Sequence, residues 1–268
     1  RVREGRTGLA AVANFDADER PEIVVAERGD LVMYDDDGTE MWRRTMPLDL
    51  PRLEALYGVT DCETTGPCDA TEDCEGETAR CLGGQCYPNK GCHPGGGAPT
   101  IADFDGDRLP EIGIAARWYY LVYEPDGEVV WAHKTKDFSS ASTGSSVFDF
   151  EGDGRAEVVY NDEEFLRVYR GAGSGTDDDG DGFNDPEILL EIPNSSGTLF
   201  EYPLIVDVDN DGNSEIVVAA NNYSSQESTT QGIRVFRDRA NNWVGTRRIW
   251  NQHAYSITNI EESGRVPA

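Results

Sequence analysis

Asp103-Phe104-Asp105-Gly106-Asp107-Arg108-Leu109-Pro110-Glu111, running into Ile112-Gly113-Ile114, is the stretch that decides how the chain reads. Acidic side chains fall at its first, third, fifth and ninth positions, with a glycine where the backbone must turn. The frame recurs at 14–22, 149–157 and 207–215, and a fifth acidic loop at 177–185 has the spacing without the same flanks. Alternating carboxylates place several hard oxygens around one point, which is the chemistry Ca²⁺ takes. Each of the four frames runs on into a short β-branched segment. The loops therefore join strands and are not of the helix-flanked kind.

Working outward, four units surround these loops. Residues 1–47 hold Leu9–Ala13, the first loop, Ile23–Ala26, Leu31–Tyr34 and Glu40–Arg44, short strands with turns between them and no helical period. Residues 98–137 repeat that order around the Asp103 loop, down to a late tryptophan in each unit (Trp42 and Trp131). Residues 138–193 form the third unit, with the 177–185 loop inserted before its last strand. Residues 194–249 form the fourth, ending on an expected strand at 242–246, and 250–268 lead on as a tail. Loop-to-loop spacings are 89, 46 and 58 residues, and the first shrinks toward the others once the Cys-rich stretch 48–97 is set aside. Four strands per 45–55 residues is the signature of propeller blades. A β-sandwich would give strands at that spacing but not the same loop at the same place in each repeat.

Composition sets limits. With 51 acidic against 23 basic residues the chain carries −28, which argues against nucleic acid and anionic membrane surfaces as partners. Nineteen of those acids stand at ligand positions of the five loops, so bound Ca²⁺ would offset much of the imbalance. The 38% hydrophobic content, clustered in short runs, excludes wholesale disorder. No apolar run is long enough for a spanning helix. Arg1-Val2-Arg3-Glu4 lacks the apolar core of a signal peptide, so the chain reads as a mature product or as part of a longer one. All six cysteines (Cys62, Cys68, Cys74, Cys81, Cys86, Cys92) fall in the 48–97 stretch without a Cys-x-x-Cys pair. Three disulfides in an oxidising compartment are expected rather than zinc, with 15 connectivities open.

Ile-Ala-Asp103-Phe-Asp105-Gly-Asp107-Arg-Leu-Pro-Glu111-Ile resembles the FG-GAP/VCBS repeat of integrin-α-type calcium-binding β-propellers, over about 200 of the 268 residues. The resemblance implies an all-β fold of four-stranded blades, four of them visible here, as part of a seven-bladed propeller or a fragment of a larger chain. It implies about four to five Ca²⁺ ions. Their ligands would be Asp103, Asp105, Asp107, the Leu109 carbonyl and Glu111; Asp149, Glu151, Asp153 and Glu157; and Asp207, Asp209, Asp211 and Glu215. The first loop (Asn14, Asp16, Asp18, Glu22) opens on Asn and should bind more weakly. The fifth (Asp177, Asp179, Asp181, Asp185) resembles free-standing calcium loops of thrombospondin-type-3 repeats. The tail from Trp243 resembles segments of large secreted bacterial proteins.

The expected function is a secreted or cell-surface adhesion, interaction or structural module. Its partners would be a protein or glycan at the cell surface, or other subunits of a surface assembly. The alternative is a carbohydrate-active enzyme, polysaccharide-lyase-like, or a glycan-binding domain. Against an enzyme, His93, His133 and His253 show neither metal-ligand spacing nor an adjacent nucleophile motif. Arg28-Gly29-Asp30, the tripeptide integrins bind, reads here as a hairpin turn. Asn194-Ser-Ser and Asn222-Tyr-Ser fit the glycosylation sequon.

Overall fold

The computed structural model describes residues 7–250 apart from 17, 19, 69, 83 and 225–228. Its first sheet is an antiparallel meander of β1 (Thr7–Ala13), β2 (Glu22–Glu27), β3 (Asp30–Tyr34) and β4 (Glu40–Thr45). Arg28 and Gly29 turn β2 into β3 with φ of 55° and 93°, the two left-handed residues of a tight hairpin. Asp30 accepts hydrogen bonds from Thr45 Oγ1 (2.7 Å) and Arg43 Nη1 (3.1 Å), so its carboxylate is engaged in holding β4.

The Cys-rich segment follows, and it opens on a helix that the sequence reading did not foresee, α1 (Leu50–Tyr57). Its signals were present: Asp49 caps the first turn by accepting from Arg52 N–H, Pro51 sits inside the start, and Gly58 (φ 65°) ends it in the left-handed region. The pairings are Cys62–Cys92, Cys68–Cys81 and Cys74–Cys86, the last two stapling the short hairpin β5 (Arg80–Leu82) and β6 (Gln85–Tyr87). Leu53 of the helix is fully buried, Tyr57 stacks on Phe138 at 5.0 Å, and Trp118 Nε1 donates to Gly91 O. The segment is thus docked on the turn at Trp118 and on Phe138, both in the unit that follows it, rather than tethered loosely.

Three further sheets repeat the meander. The second holds β7 (Thr100–Ala102), β8 (Glu111–Ala115), β9 (Tyr119–Tyr123) and β10 (Val129–Lys134), and the third holds β11 (Ser146–Phe148), β12 (Glu157–Asn161), β13 (Phe165–Tyr169) and β14 (Ile188–Pro193). The fourth has three described strands, β15 (Leu204–Val206), β16 (Glu215–Ala220) and β17 (Gly232–Phe236). Residues 242–246, expected as its last strand, are not in a strand. Instead Trp243 packs on Phe150 at 4.6 Å, Val244 N–H donates to Phe150 O, and Arg247 O accepts from Asp207 N–H. This segment therefore runs from the third metal-type loop to the fourth.

Neighbouring sheets stack face to face. Val24, Leu31 and Met33 of the first meet Ile112, Ile114 and Leu121 of the second; Tyr120 and Trp131 of the second meet Tyr160 and Tyr169 of the third; Val159 and Val168 of the third meet Ile216 and Val218 of the fourth. All five residues of β8, β9 and β12 are buried, because both faces of these strands are covered. The late tryptophans span these joints: Trp42 Nε1 donates to Pro125 O (2.8 Å), and Trp131 Nε1 donates to Gly171 O (2.5 Å). By cross-strand register the third sheet has Leu190 at that place. The smaller side chain leaves a groove of about 460 Å³ lined by Leu190, Ile192, Phe236 and Trp243.

Candidate metal centres

Four loops occupy one structural position, between the first and second strand of a sheet. In each, the closing glutamate is the first residue of the second strand and lies opposite the last residue of the first: Ala13 and Glu22, Ala102 and Glu111, Phe148 and Glu157, Val206 and Glu215. Backbone pairing thus holds the glutamate, while the turn before it brings the aspartates round.

The turn is built by the aspartates themselves. Asp105 Oδ1 accepts from Asp107 N–H and Asp107 Oδ1 from Leu109 N–H; Asp16 and Asp18, and Asp209 and Asp211, repeat that pair of bonds. In the third loop Asp153 accepts from Arg155 N–H. The leading residue gathers further amides: Asp103 takes those of Gly106 and Arg108, and Asp149 those of Gly152, Asp153 and Gly154. The fourth and sixth positions of three loops are left-handed, at Gly106 (φ 87°) and Arg108 (78°), Gly152 (72°) and Gly154 (90°), and Asn210 (62°) and Gly212 (94°), mostly glycine because it alone takes that region without strain. Asn14 behaves differently from its counterparts, donating its amide to Asp18 O at 2.6 Å.

The decisive feature lies at the glutamates. One oxygen of each accepts from the N–H of the loop's second residue: Phe15 at 2.6 Å, Phe104 at 2.5 Å, Phe150 at 3.0 Å and Val208 at 2.9 Å. The other oxygen, Oε1 of Glu22, Glu111, Glu157 and Glu215, is buried and has no hydrogen-bond partner, as is Oδ1 of Asp207. Burying a carboxylate oxygen without a partner costs several kcal/mol by order of magnitude, yet the same atom is left so in all four sheets. A cation in the loop would give that oxygen its partner, and the all-oxygen donor set suits Ca²⁺. Carboxylate oxygens of Asp103, Asp105, Asp107 and Glu111 lie within 4.8 Å of one another, as do those of Asp16, Asp18 and Glu22 and those of Asp149, Glu151 and Glu157. Leu109 contributes its N–H to the turn and is half exposed.

Without a cation Glu111, Glu157 and Glu215 hold their protons more tightly than an ordinary carboxyl does. Burial raises Glu111 to about 7 and Glu157 to about 8, the second helped by the neighbouring Glu151 carboxylate, and burial raises Glu215 as well. Glu111→Gln keeps a group able to accept from Phe104 N–H but removes the charge. Its expected effect changes sign with metal: a loss of about 1–3 kcal/mol in Ca²⁺, and no loss or a gain in metal-free buffer. Paired thermal melts check this, and an equal loss in both buffers would count against the site.

The 177–185 loop shares the frame but not the setting. Asp185 accepts from Asp178 N–H at 2.7 Å, and oxygens of Asp177, Asp179 and Asp185 cluster within 4.8 Å. It joins β13 to β14 and reaches back to the second sheet, where Asn184 O accepts from Ala132 N–H and Phe183 packs edge-on to Tyr119. Lys134 of β10 already pairs with Asp179 (2.7 Å) and Asp181 (3.4 Å) and holds Asp179 below the usual carboxylate range. That ammonium lies 43 residues or more from the loop in sequence, so no local pattern announced it. The phenylalanines at the loops' second position were also missed as functional residues, although Phe15, Phe104 and Phe150 stand in the frame for any reader to see.

The histidines and sequons also find their places. His93 and His133 are driven down to about 4 by burial, and His133 Nδ1 meets Tyr169 OH at 3.0 Å, so both are neutral packing residues. Asn194 is fully buried, donating to Asn161 Oδ1 and Ala219 O, whereas Asn222 is exposed. His253 and the tail from 251 lie outside the described residues.

No protein-family model matches the chain, and no curated protein matches it. Among solved structures it resembles the V. cholerae biofilm matrix protein Bap1, with a TM-score of 0.63 and 18% identity over 97% of this chain and 61% of that one. The chain therefore spans less than two thirds of that protein's length, and the likeness is one of fold. A Bacteroides caccae protein of unknown function is matched at TM-score 0.36 and 14% identity, covering 97% of this chain and 64% of that one. The Photorhabdus luminescens Tc holotoxin pore gives 0.26 and 14%, covering 80% of this chain and 11% of that one. Neither of these two scores bears on the fold.

Proposed function

We propose that the chain is a calcium-stabilised segment of an FG-GAP/VCBS-type β-propeller, secreted or displayed at a cell surface, where it serves as an adhesion, interaction or structural module. The observation that carries this reading is the buried, partnerless Oε1 atom repeated at Glu22, Glu111, Glu157 and Glu215. The sheets' meander order and face-to-face stacking support the blade reading. Three disulfides support an oxidising compartment, and the fold shared with a biofilm matrix protein supports an extracellular setting.

Bound Ca²⁺ supplies positive charge to the carboxylates. The chain's own residues do the rest: the aspartates shape each turn, and the glutamate ties the turn to the second strand. The residue whose N–H that glutamate holds then enters the next interface. Phe15 packs between the first and second sheets, Phe104 between the second and third, and Phe150 between the third and fourth. Metal loading is thereby coupled to stacking, and stacking is what makes a repeat stable. The module role is tested by applying the Ca²⁺-loaded chain to an array of polysaccharides and surface proteins, with lyase and hydrolase assays on the same glycans. Retention without turnover is expected; turnover would replace the reading with that of a carbohydrate-active enzyme.

A further inference from the structure

The second and third loops touch each other through residues that carry or adjoin candidate ligands. Ala156 N–H donates to Asp103 O at 2.9 Å. Asp103 leads the second loop, and Ala156 immediately precedes Glu157, which closes the third. The Arg155 side chain lies across the turn of the second loop, where a Cβ on Gly106 would stand 2.9 Å from its Nε. Gly171, just after β13, is wedged against both loops. A Cβ there would run into Ala156 O and Phe104 O, and its own carbonyl takes the Trp131 indole N–H. The direct bond is particular to this joint. The eighth position of the nine-residue frame is Ala156 in the third loop but Pro21 and Pro110 in the first and second. Proline has no N–H to give, so Pro110 cannot make the same bond to the first loop. Among the described residues no hydrogen bond joins the first loop to the second. The third and fourth loops are joined indirectly, through Val244 N–H to Phe150 O and Asp207 N–H to Arg247 O.

We propose that the second and third loops take up Ca²⁺ as a coupled pair, each raising the other's affinity, while the first loop loads independently of the second. The proposal rests on the calcium reading of these loops and goes beyond it by saying which of them act together. Asp103 offers its carboxylate to the second site and its carbonyl to the third loop, so whatever fixes the one group also fixes the other. Ala156 lies three residues after Asp153 and one before Glu157, so its anchored amide helps to place both of those carboxylates. Ordering one loop therefore removes part of the cost of ordering its neighbour, which is positive coupling without any change of fold. The size of the effect is bounded by the contact that carries it. One hydrogen bond, at its usual net worth, gives an affinity gain of about 2- to 10-fold. By linkage the gain is the same in both directions.

The test is a Ca²⁺ titration of the metal-free, ¹⁵N-labelled whole chain, read by NMR at one amide in each loop: Phe15, Gly106 and Gly152 for the first, second and third. Glu157→Gln is expected to raise the half-saturating Ca²⁺ concentration at Gly106 by about 2- to 10-fold. Glu111→Gln should raise that at Gly152 by the same factor, and neither should move that at Phe15. Glu22→Gln should leave Gly106 and Gly152 where they were. Ala156→Pro, which puts at the eighth position the residue that the first two loops already hold there, should leave both loops able to bind but cancel the two shifts. The reciprocal pair of glutamine variants decides the matter even if the proline variant does not fold. Ca²⁺ bound at each loop with half-saturations indifferent to the neighbour's substitution would overturn the coupling and leave the calcium reading standing. Amides that do not respond to Ca²⁺ at all would overturn both.

Discussion

Stripped of divalent cations, the chain is expected to melt roughly 10 °C or more below its Ca²⁺-loaded form. One site held at a thousand times its dissociation constant stabilises the folded state by about 4 kcal/mol. For a chain of this size each kcal/mol moves the melting temperature by about 2–4 °C. Several loops acting together would exceed that, limited by the apo chain's ability to protonate its glutamates. This escape has a pH signature. Glu111 at about 7 and Glu157 at about 8 in the metal-free fold stand above the ordinary value of 4.5. A carboxyl whose folded pKa is raised stabilises the fold while it is protonated, and the benefit is lost as pH rises from about 4.5 through 8. Chelex-treated protein should therefore lose stability steadily between pH 5 and 8, whereas in saturating Ca²⁺ the profile over that range should flatten. Coincident profiles with and without metal would remove the loops from the account of stability.

The second large effect needs no metal. Trp131→Ala is expected to cost about 3–5 kcal/mol in urea unfolding. Its ring is fully buried, lies 5.7 Å from Tyr120 and 5.4 Å from Tyr169, and sends its N–H to Gly171 O of the next sheet. Truncation removes the stacking and leaves a carbonyl without its donor. Trp42→Ala, at the equivalent place, should cost less because Trp42 is only partly buried. The deficit at Trp131 should be the same in Ca²⁺ and in metal-free buffer. That separates it from any substitution in a loop.

Much of this was legible because it is local. The frame from Asp103 to Glu111 sets turn, strand start and carboxylate spacing within nine residues, and its four copies marked the sheets before any contact was known. The cysteine cluster announced disulfides for the same reason. What was not legible depends on distance in sequence. The pairing Cys62–Cys92, Cys68–Cys81 and Cys74–Cys86 depends on which cysteines the folded segment brings together, Cys81 and Cys86 lying opposite each other in the β5–β6 hairpin yet bonding to Cys68 and Cys74. Lys134 reaches Asp179 only because the fifth loop folds back on β10. The helix at Leu50–Tyr57 was masked by the strands around it, although Asp49, Pro51 and Gly58 mark both its ends. Residues 242–246 looked like a strand because Trp243 and Val244 are strand formers. The amide of Val244 is taken instead by Phe150 O, in a joint that no repeat pattern contains.

The central claim is that the repeated loops hold Ca²⁺ and that their glutamates are the reason. Equilibrium dialysis of metal-free chain against radioactive calcium, at pH 7.5 and moderate salt, counts the ions directly. The account predicts about four to five per chain, with one lost in Glu111→Gln while the remainder stay. Binding of no ion, or a count unaltered by that substitution, would contradict it.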